Sequence, residues 1–443
     1  MPATDPTSLT ATETAARLAS GAMSAQDYAK ACLDRIAELE PTIQAWAFLD
    51  REHLLAAGGG ADDARRAGRD AGPLHGLPVG IKDIIDTADM PTENGSAIFK
   101  GRRPATDAAC VTALRRAGAI IAGKTVTTEL ATLTPSRTRN PRNTAHTPGG
   151  SSSGSAAAVA AGMVPAALGT QTGGSVIRPA AYCGVYGYKP TFGVVPRTGV
   201  LTQAPSLDTV GVYGRSVEDL ALLGDALQGH DAGDPESLSI SHLQLGAAIK
   251  QDQARPPRFA FVKTHAWGDA DAEMHAAFAG LAERLAGRIT EVALDEVTAP
   301  GLAAARTVQG VELALHYGPL LDRDPGMISK GLTQRIEAGR RILGTDYLAA
   351  KQARAGFQAS IDKVLAEHDA ILTPAALGPA PKSLATTGDP VFCGFWTYLG
   401  VPAVSLPLLE GGGMPIGVQL VGARRNDGSL LRTARWLVRH LAG

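Results

Sequence analysis

Apolar residues along this chain follow two rhythms, one of helices and one of short strands. Ser8–Ser20 reads as a helix closed by Gly21. Ser24 opens a second helix, with Asp27 three residues on as a capping-box-like pair. Tyr28, Cys32, Ile36 and Leu39 line one face of it at helical spacing. Arg51 to Asp70, rich in Ala, Arg and Asp, predicts an exposed helix interrupted near Gly58–Gly60. Leu77 to Ile85 is an apolar strand candidate with one lysine, Lys82, inside it. Asp107 is placed to cap a helix through Arg116, and Ala119–Ala122 follows as a strand. Further strands are predicted at Phe259–Val262, Ala370–Thr373, Ala403–Leu409 and Ile416–Val421, the last two around Gly411–Gly413. A helical pattern dominates from about Ala272 to Leu365, and Leu430–Leu441 closes the chain as an amphipathic helix. This alternation predicts an α/β class.

Two regions break the pattern. Gly149 to Arg197 holds two Gly/Ser clusters separated by an Ala-rich helix, Ser155–Ala161. Gly229 to Pro257 is polar and rich in Gly, Asp, Gln and Pro, and reads as a surface excursion between two halves.

Composition removes several function classes. The chain has 443 residues, with 42 Lys+Arg against 43 Asp+Glu and a formal charge of −1. Such a balance, with no basic run, argues against nucleic-acid binding. With 44% hydrophobic residues, disorder is excluded. Length alone, at about 150 residues per domain, suggests about three domains. Cys32, Cys110, Cys183 and Cys393 are widely spaced and form no CxxC pair, as expected of buried, reduced thiols in a cytoplasmic protein. The start, Met1-Pro-Ala-Thr-Asp-Pro6, shows no basic region followed by an apolar stretch, so no secretory signal is expected. Ala156 to Leu168, interrupted by Gly162 and Pro165, is too short and broken to span a bilayer, and no membrane association is expected.

The candidate chemistry starts from what is missing. There is no HExxH, no Cys/His metal cluster and no phosphate loop, so no metal or other cofactor is expected. The 10 histidines are scattered, and none sits in a Gly-rich turn. Gly150-Ser-Ser-Ser-Gly154 fits the G-x-S-x-G elbow, but that elbow needs an apolar strand leading into it. Here a turn-rich loop, Arg139 to Pro148, precedes it. The second cluster, Gly169-Thr-Gln-Thr-Gly-Gly-Ser175, is different. Gly173 and Gly174 permit unusual backbone angles, and successive N–H groups in such a turn can form an anion nest. Ser175 would then sit beside its own oxyanion hole, although a plain tight turn before a helix reads the same way. A serine needs a base. Burial can lower a lysine towards neutrality, and Lys82 lies among Val79, Ile81, Ile84 and Ile85. Pairing with Asp83 or Asp86 on a strand edge is the alternative. The serines behind Gly149-Gly150 can relay a proton or simply cap the helix that follows.

Together these segments resemble the amidase signature family of Ser–cis-Ser–Lys hydrolases. The matching motifs are Gly80-Ile-Lys82-Asp83, Gly149-Gly-Ser151-Ser-Ser-Gly-Ser155 and Gly169-Thr-Gln-Thr-Gly-Gly-Ser175, with 24 residues from Ser151 to Ser175. Tyr182-Cys-Gly-Val-Tyr-Gly-Tyr-Lys-Pro190, Ser206-Leu-Asp-Thr-Val-Gly211 and Pro415-Ile-Gly-Val-Gln419 are also family-like. The likeness is dense from about Gly76 to Gly211 and thin elsewhere. It implies one compact α/β domain over 1–443, with a mixed central β-sheet covered by helices on both faces, a helical segment at 1–70 and a catalytic segment at 76–211. It further implies Ser175 as nucleophile, Ser151, beside a cis peptide bond, as relay, and Lys82 as base and then acid. Thr172, Gly173 and Gly174, with the Ser175 amide, would form the oxyanion hole. The implied reaction is acyl transfer from a carbon–nitrogen bond of a small amide through a seryl acyl-enzyme. Carbamates (urethanes), aryl amides and esters are alternative substrates. A homodimer is left open.

Three positions depart from the commoner family pattern. Gln171 stands where many members have Asp, Ile177 where many have Arg, and Ser153 where Gly is commoner. Gln171 with Arg178 looks like the malonamidase-type branch, in which the arginine is thought to hold a substrate carboxylate. A salt bridge at a helix start is the other reading of Arg178. The same departures count against a glutaminyl- or asparaginyl-tRNA amidotransferase subunit. Pocket walls are expected from Leu133–Asn140, Val200–Ser206 and the helices after Ala303. Tyr317, Phe392, Trp396 and Tyr398 are the few aromatic anchors available.

Overall fold

A computed structural model describes residues 5–69, 72–240 and 242–442. Along these the strands are β1 (Trp46–Leu49), β2 (Pro78–Lys82), β3 (Ile120–Thr125), β4 (Ala166–Gln171), β5 (Tyr186–Lys189), β6 (Thr209–Gly214), β7 (Phe259–Phe261), β8 (Ile289–Glu291), β9 (Ala370–Pro374), β10 (Ala403–Gly411) and β11 (Met414–Val421). They form one sheet in the order β1-β3-β2-β4-β6-β5-β10-β11-β9-β7-β8. Pairing is parallel for β3-β2-β4 and for β9-β7-β8, and antiparallel at the other junctions, so the sheet is mixed.

The helices are α1 (Ala11–Ser20), α2 (Ala25–Ile43), α3 (Arg51–Arg66), α4 (Ala109–Arg116), α5 (Ser153–Ala160), α6 (Ile177–Cys183), α7 (Val217–Leu227), α8 (Leu245–Ala248), α9 (Ala272–Arg284), α10 (Asp295–Arg323), α11 (Lys330–Arg340), α12 (Gly344–Glu367), α13 (Val391–Leu399) and α14 (Asp427–Ala442). Side chains alternate along each strand, so each strand feeds two cores. Val79, Ile81, Ala166 and Leu168 pack with α4, α7 and α14 in one cluster. Ile120, Ala122, Ala167 and Tyr213 pack with α2 and α5 in another. Helices therefore cover both faces, and the length-based expectation of about three domains gives way to one sheet that runs through the chain.

Local differences from the sequence reading have physical causes. The first helix starts at Ala11, because Thr10 and Glu13 form the reciprocal capping box; Ser8 belongs to a separate turn held by Asp5. Ser24 caps α2 as expected, accepting the Asp27 amide, while Asp62 takes the Ser24 hydroxyl and the amides of Ala25 and Gln26. Helix α3 runs unbroken through Gly58–Gly60. A Cβ at Gly58 would stand 2.8 Å from the Gln26 Cα, so the glycine serves close packing of α3 on α2. Asp70, the predicted end of that helix, lies outside the described residues, as do Met1–Thr4. Asp107 does not cap α4; its carboxylate instead takes the Ala88 amide and Arg115. The strand at Lys82 stops there, because the amides of Ile84 and Ile85 turn back onto its carbonyl. β1, β4, β5 and β6 were not predicted, and β8 interrupts the long helical stretch. The excursion from Gly229 to Pro257 contains the turn of helix α8, whose Leu245 is buried.

Candidate active site

Three separate segments meet at the carboxyl ends of β2 and β4. In the parallel register Ile81 faces Leu168, so Lys82 comes level with the last residues of β4 although more than eighty residues separate them in the chain. Helix α5 runs from that edge back to the start of β4, and the loop at its N-terminus, residues 149–152, meets Lys82 and Thr170 there. Helix α6 leaves from the same edge. Ligand sites of open α/β sheets lie at such carboxyl ends.

Lys82 is fully buried. Its Nζ lies 2.8 Å from Ser151 Oγ and 2.8 Å from Thr170 Oγ1. Burial holds its pKa well below the ordinary lysine value, and the Asp208 carboxylate works against that shift. The alternative pairing with Asp83 or Asp86 is absent: Asp83 lies 3.8 Å from Lys124, and Asp86 binds Arg102. Ser151 is buried too, and the Gly150–Ser151 peptide bond is cis. Its carbonyl accepts the Thr128 amide and the Thr127 hydroxyl, at 3.1 and 3.2 Å.

Ser175 is half-buried and opens onto a cleft of about 530 Å³, whose lining includes Thr172, Gly173, Gly174 and Arg178. Its hydroxyl has no hydrogen-bond partner among the described residues, and no direct bond joins it to Ser151. The turn around it is set by Gln171, whose part the sequence reading missed. Gln171 Oε1 accepts the amides of Val176 and Ile177, at 2.8 and 3.0 Å, and its Nε2 donates to Thr397 Oγ1 at 2.9 Å. An Asp there could accept those amides but could not donate to Thr397. Thr397 in turn donates to the Gly173 carbonyl at 2.7 Å. In a planar trans peptide this directs the Gly174 N–H the opposite way. The amides of Gly173, Gly174 and Ser175 have no protein acceptor among the described residues. Thr172 Oγ1 donates to Asp208 at 2.5 Å.

Gly173 and Gly174 correct the expectation about this turn. Neither has a positive φ. Gly174 is needed for space, since a Cβ there would stand 2.9 Å from Pro390 Cβ and 3.0 Å from Cys393 Cβ. Arg178, in the first turn of α6, is buried and carries no salt bridge among the described residues. Its Nη2 donates to the Gly150 carbonyl at 2.7 Å and approaches Thr387 Oγ1 at 3.4 Å, while Nε and Nη1 are buried without a partner. The salt-bridge reading of Arg178 is therefore not realised. Leu133, Gln203 and Arg306 line the cleft, from the predicted wall segments. Tyr317, Phe392, Trp396 and Tyr398 are all core. The loop before the Gly150–Gly154 motif is not a strand, as the elbow would require. No helix of the described residues is long and apolar enough to cross a membrane.

Comparison with known proteins identifies the family. A family model described as Amidase matches residues 27–431. The chain is 36% identical to the A-type subunit of glutamyl-tRNA(Gln) amidotransferase from Chloroflexus aggregans, covering 94% of this chain and 93% of that protein. It is 34% identical to the corresponding protein of Carboxydothermus hydrogenoformans, covering 96% of each. Among solved structures, a chain of a vestigial protein complex that reveals the evolutionary origins of an s-triazine catabolic enzyme superposes with a TM-score of 0.91 at 30% identity, covering 97% of this chain and 98% of that one. The peptide amidase of Stenotrophomonas maltophilia superposes with a TM-score of 0.86 at 28% identity, covering 98% and 97%. The chain belongs to the amidase signature family, whose members include enzymes that hydrolyse carbon–nitrogen bonds.

Proposed function

We propose that this enzyme hydrolyses a small acidic amide through an acyl-enzyme on Ser175. The observation that carries the reading is the buried Lys82 amine, within hydrogen-bond distance of Ser151 and next to the turn that bears Ser175. A lysine deprived of water is neutral at lower pH and can accept a proton. Ser175 attacks the acyl carbon while its proton passes through Ser151 to Lys82. The amides of Gly173, Gly174 and Ser175 receive the developing oxyanion, while the Thr172 hydroxyl, already donating to Asp208, anchors the turn that carries them. Lys82 then returns the proton to the leaving amine, and water repeats the sequence to release the acid. Arg178, with two unpartnered nitrogens, supports a substrate carboxylate beside the scissile carbonyl. Carbamates fit the same steps, because they offer the same carbonyl to the same nucleophile.

A second reading is a tRNA-dependent amidotransferase component, favoured by the relatives at 34–36% identity. Against it stand Gln171 and Ile177, where the commoner pattern has Asp and Arg. Amine release from malonamate, a neutral aliphatic amide, an anilide and an aryl carbamate tests the proposal. Preferred hydrolysis of malonamate by the isolated chain is expected. Ammonia release from glutamine that requires charged tRNA and partner proteins would replace it with the second reading.

A further inference from the structure

The cleft carries more positive charge than the reaction uses. Its lining contains three arginines, Arg178, Arg306 and Arg335, against one acid, Asp389. The whole chain, by contrast, is almost neutral, at −1. Some arginines elsewhere are paired, Arg197 with Asp234 at 2.8 Å and Arg102 with Asp86 at 2.6 Å, while Arg354 stacks on Phe192 and Tyr398 without a counter-charge among the described residues; what distinguishes the cleft is that its unpaired arginines share one cavity. Arg335 is half-buried on α11 and makes no hydrogen bond or ion pair among the described residues. Burial pulls its pKa down from the usual arginine value, with Tyr317 opposing. A guanidinium partly removed from water and left without a counter-charge is costly, and a bound anion removes that cost.

The wall that holds Arg335 is rigid. Gly339, one turn on and on the same face, packs so closely on α10 that a Cβ there would stand 2.1 Å from the Gly310 carbonyl oxygen. Gly310 and Gly339 both line the cleft, so the contact that ties α11 to α10 also turns Arg335 towards it. Arg306, one turn before Gly310 on α10, is exposed and likewise unpaired among the described residues. Asp389 lies within electrostatic reach of Arg178, so the countercharge of the cleft is on the Arg178 side.

We propose that the cleft is built for a dianionic amide, with one carboxylate on Arg178 and a second anionic group, at the other end of the molecule, on Arg335. Arg306 adds to the field that draws such a substrate in. This rests on the reading of Arg178 given above and extends it to the far end of the substrate. It separates this site from one for simple monoacid amides, for which a second unpaired arginine would serve nothing.

The test is calorimetric binding to the Ser175→Ala protein, comparing a series of linear dicarboxylates of increasing length with the monocarboxylates of equal length. The best dicarboxylate is expected to bind about tenfold tighter or better than its monoacid, as a charge-assisted contact permits. Adding Arg335→Gln should remove that advantage, Arg335→Lys should keep much of it, and raised salt should weaken it. Neither change should lower the melting temperature of the free protein, and Arg335→Gln, which removes an uncompensated charge, should raise it. A dicarboxylate advantage that is absent, or that survives Arg335→Gln, overturns the proposal, as does failure of every diacid to bind at millimolar concentration. Arg178→Gln separates the two claims. If it leaves monocarboxylate binding untouched while the Arg335-dependent advantage persists, the Arg178 reading fails and the second anion site stands.

Discussion

Replacing Lys82 with Met separates catalysis from packing at one position. Methionine keeps the length and volume of the lysine stem but removes the amine. In the fold this leaves the hydroxyls of Ser151 and Thr170 without the Nζ partner each has at 2.8 Å. A buried group that loses its partner costs about 1–3 kcal/mol. Against this, the desolvation that depresses the buried amine is relieved, and each unit of depression is worth about 1.4 kcal/mol. The two terms have opposite signs and offset each other, so the melting temperature should change far less than the activity. Catalysis has no such offset. Loss of the base should lower turnover about 10²–10⁴-fold.

Stability and activity then give two pH signatures. In the wild type, kcat/KM should rise with pH as Lys82 deprotonates, with a midpoint below the ordinary lysine range, and Lys82→Met should lose that limb. For stability, unfolded Lys82 keeps its proton up to about pH 10.4, whereas the folded residue loses it earlier. The unfolded chain therefore binds more protons between the two values, and the wild type gains stability as pH rises through that window. The variant lacks this term, so its melting temperature relative to wild type should climb as pH falls from about 10, levelling off below the folded pKa. Amine release and calorimetric melting at several pH values measure both. A variant within tenfold of wild-type activity, with the pH limb intact, refutes Lys82 as the base.

Other outcomes follow from the same geometry. Ser175→Ala should abolish amine release with an unchanged melting temperature, and a slow substrate should leave an acyl adduct on the wild type but not on the variant by intact mass; an adduct on both would remove Ser175 as nucleophile. Arg178→Gln should raise KM for malonamate about tenfold or more while sparing a neutral amide, since a charge-assisted hydrogen bond is worth about 1.5–3 kcal/mol; equal losses on both would make the arginine structural. Gly174→Ala should destabilise by about 1–3 kcal/mol through overpacking against Pro390 and Cys393. Gly173→Ala, whose nearest neighbour would be 3.8 Å away, should fold normally, and melting curves of the pair decide whether space is what Gly174 provides.

Much of this site can be read from local sequence, because local physics writes it there. Lys82 stands out in an apolar run that it shares with one other charge, Asp83, and its neighbours Val79, Ile81, Ile84 and Ile85 make burial a reading available from the sequence. The Gly/Ser clusters announce turns, and their motifs carry the family likeness that the whole-chain comparison bears out. Helix caps such as Ser24 act over three residues and are equally legible. Chain order could not show whatever depends on distant segments arriving at one place. Thr397 reaches Gln171 and Gly173 from more than two hundred residues away, and no periodicity links them. Strand β4, Ala-Ala-Leu-Gly-Thr-Gln, escaped prediction because an Ala- and Gly-containing segment has little strand propensity of its own; pairing within a buried sheet overrides it. The candidate reacting groups and the turns that present them are thus written in short stretches of chain. The unpaired state of Arg178 and Arg335 is not, since an arginine is free only when long-range packing brings it no carboxylate.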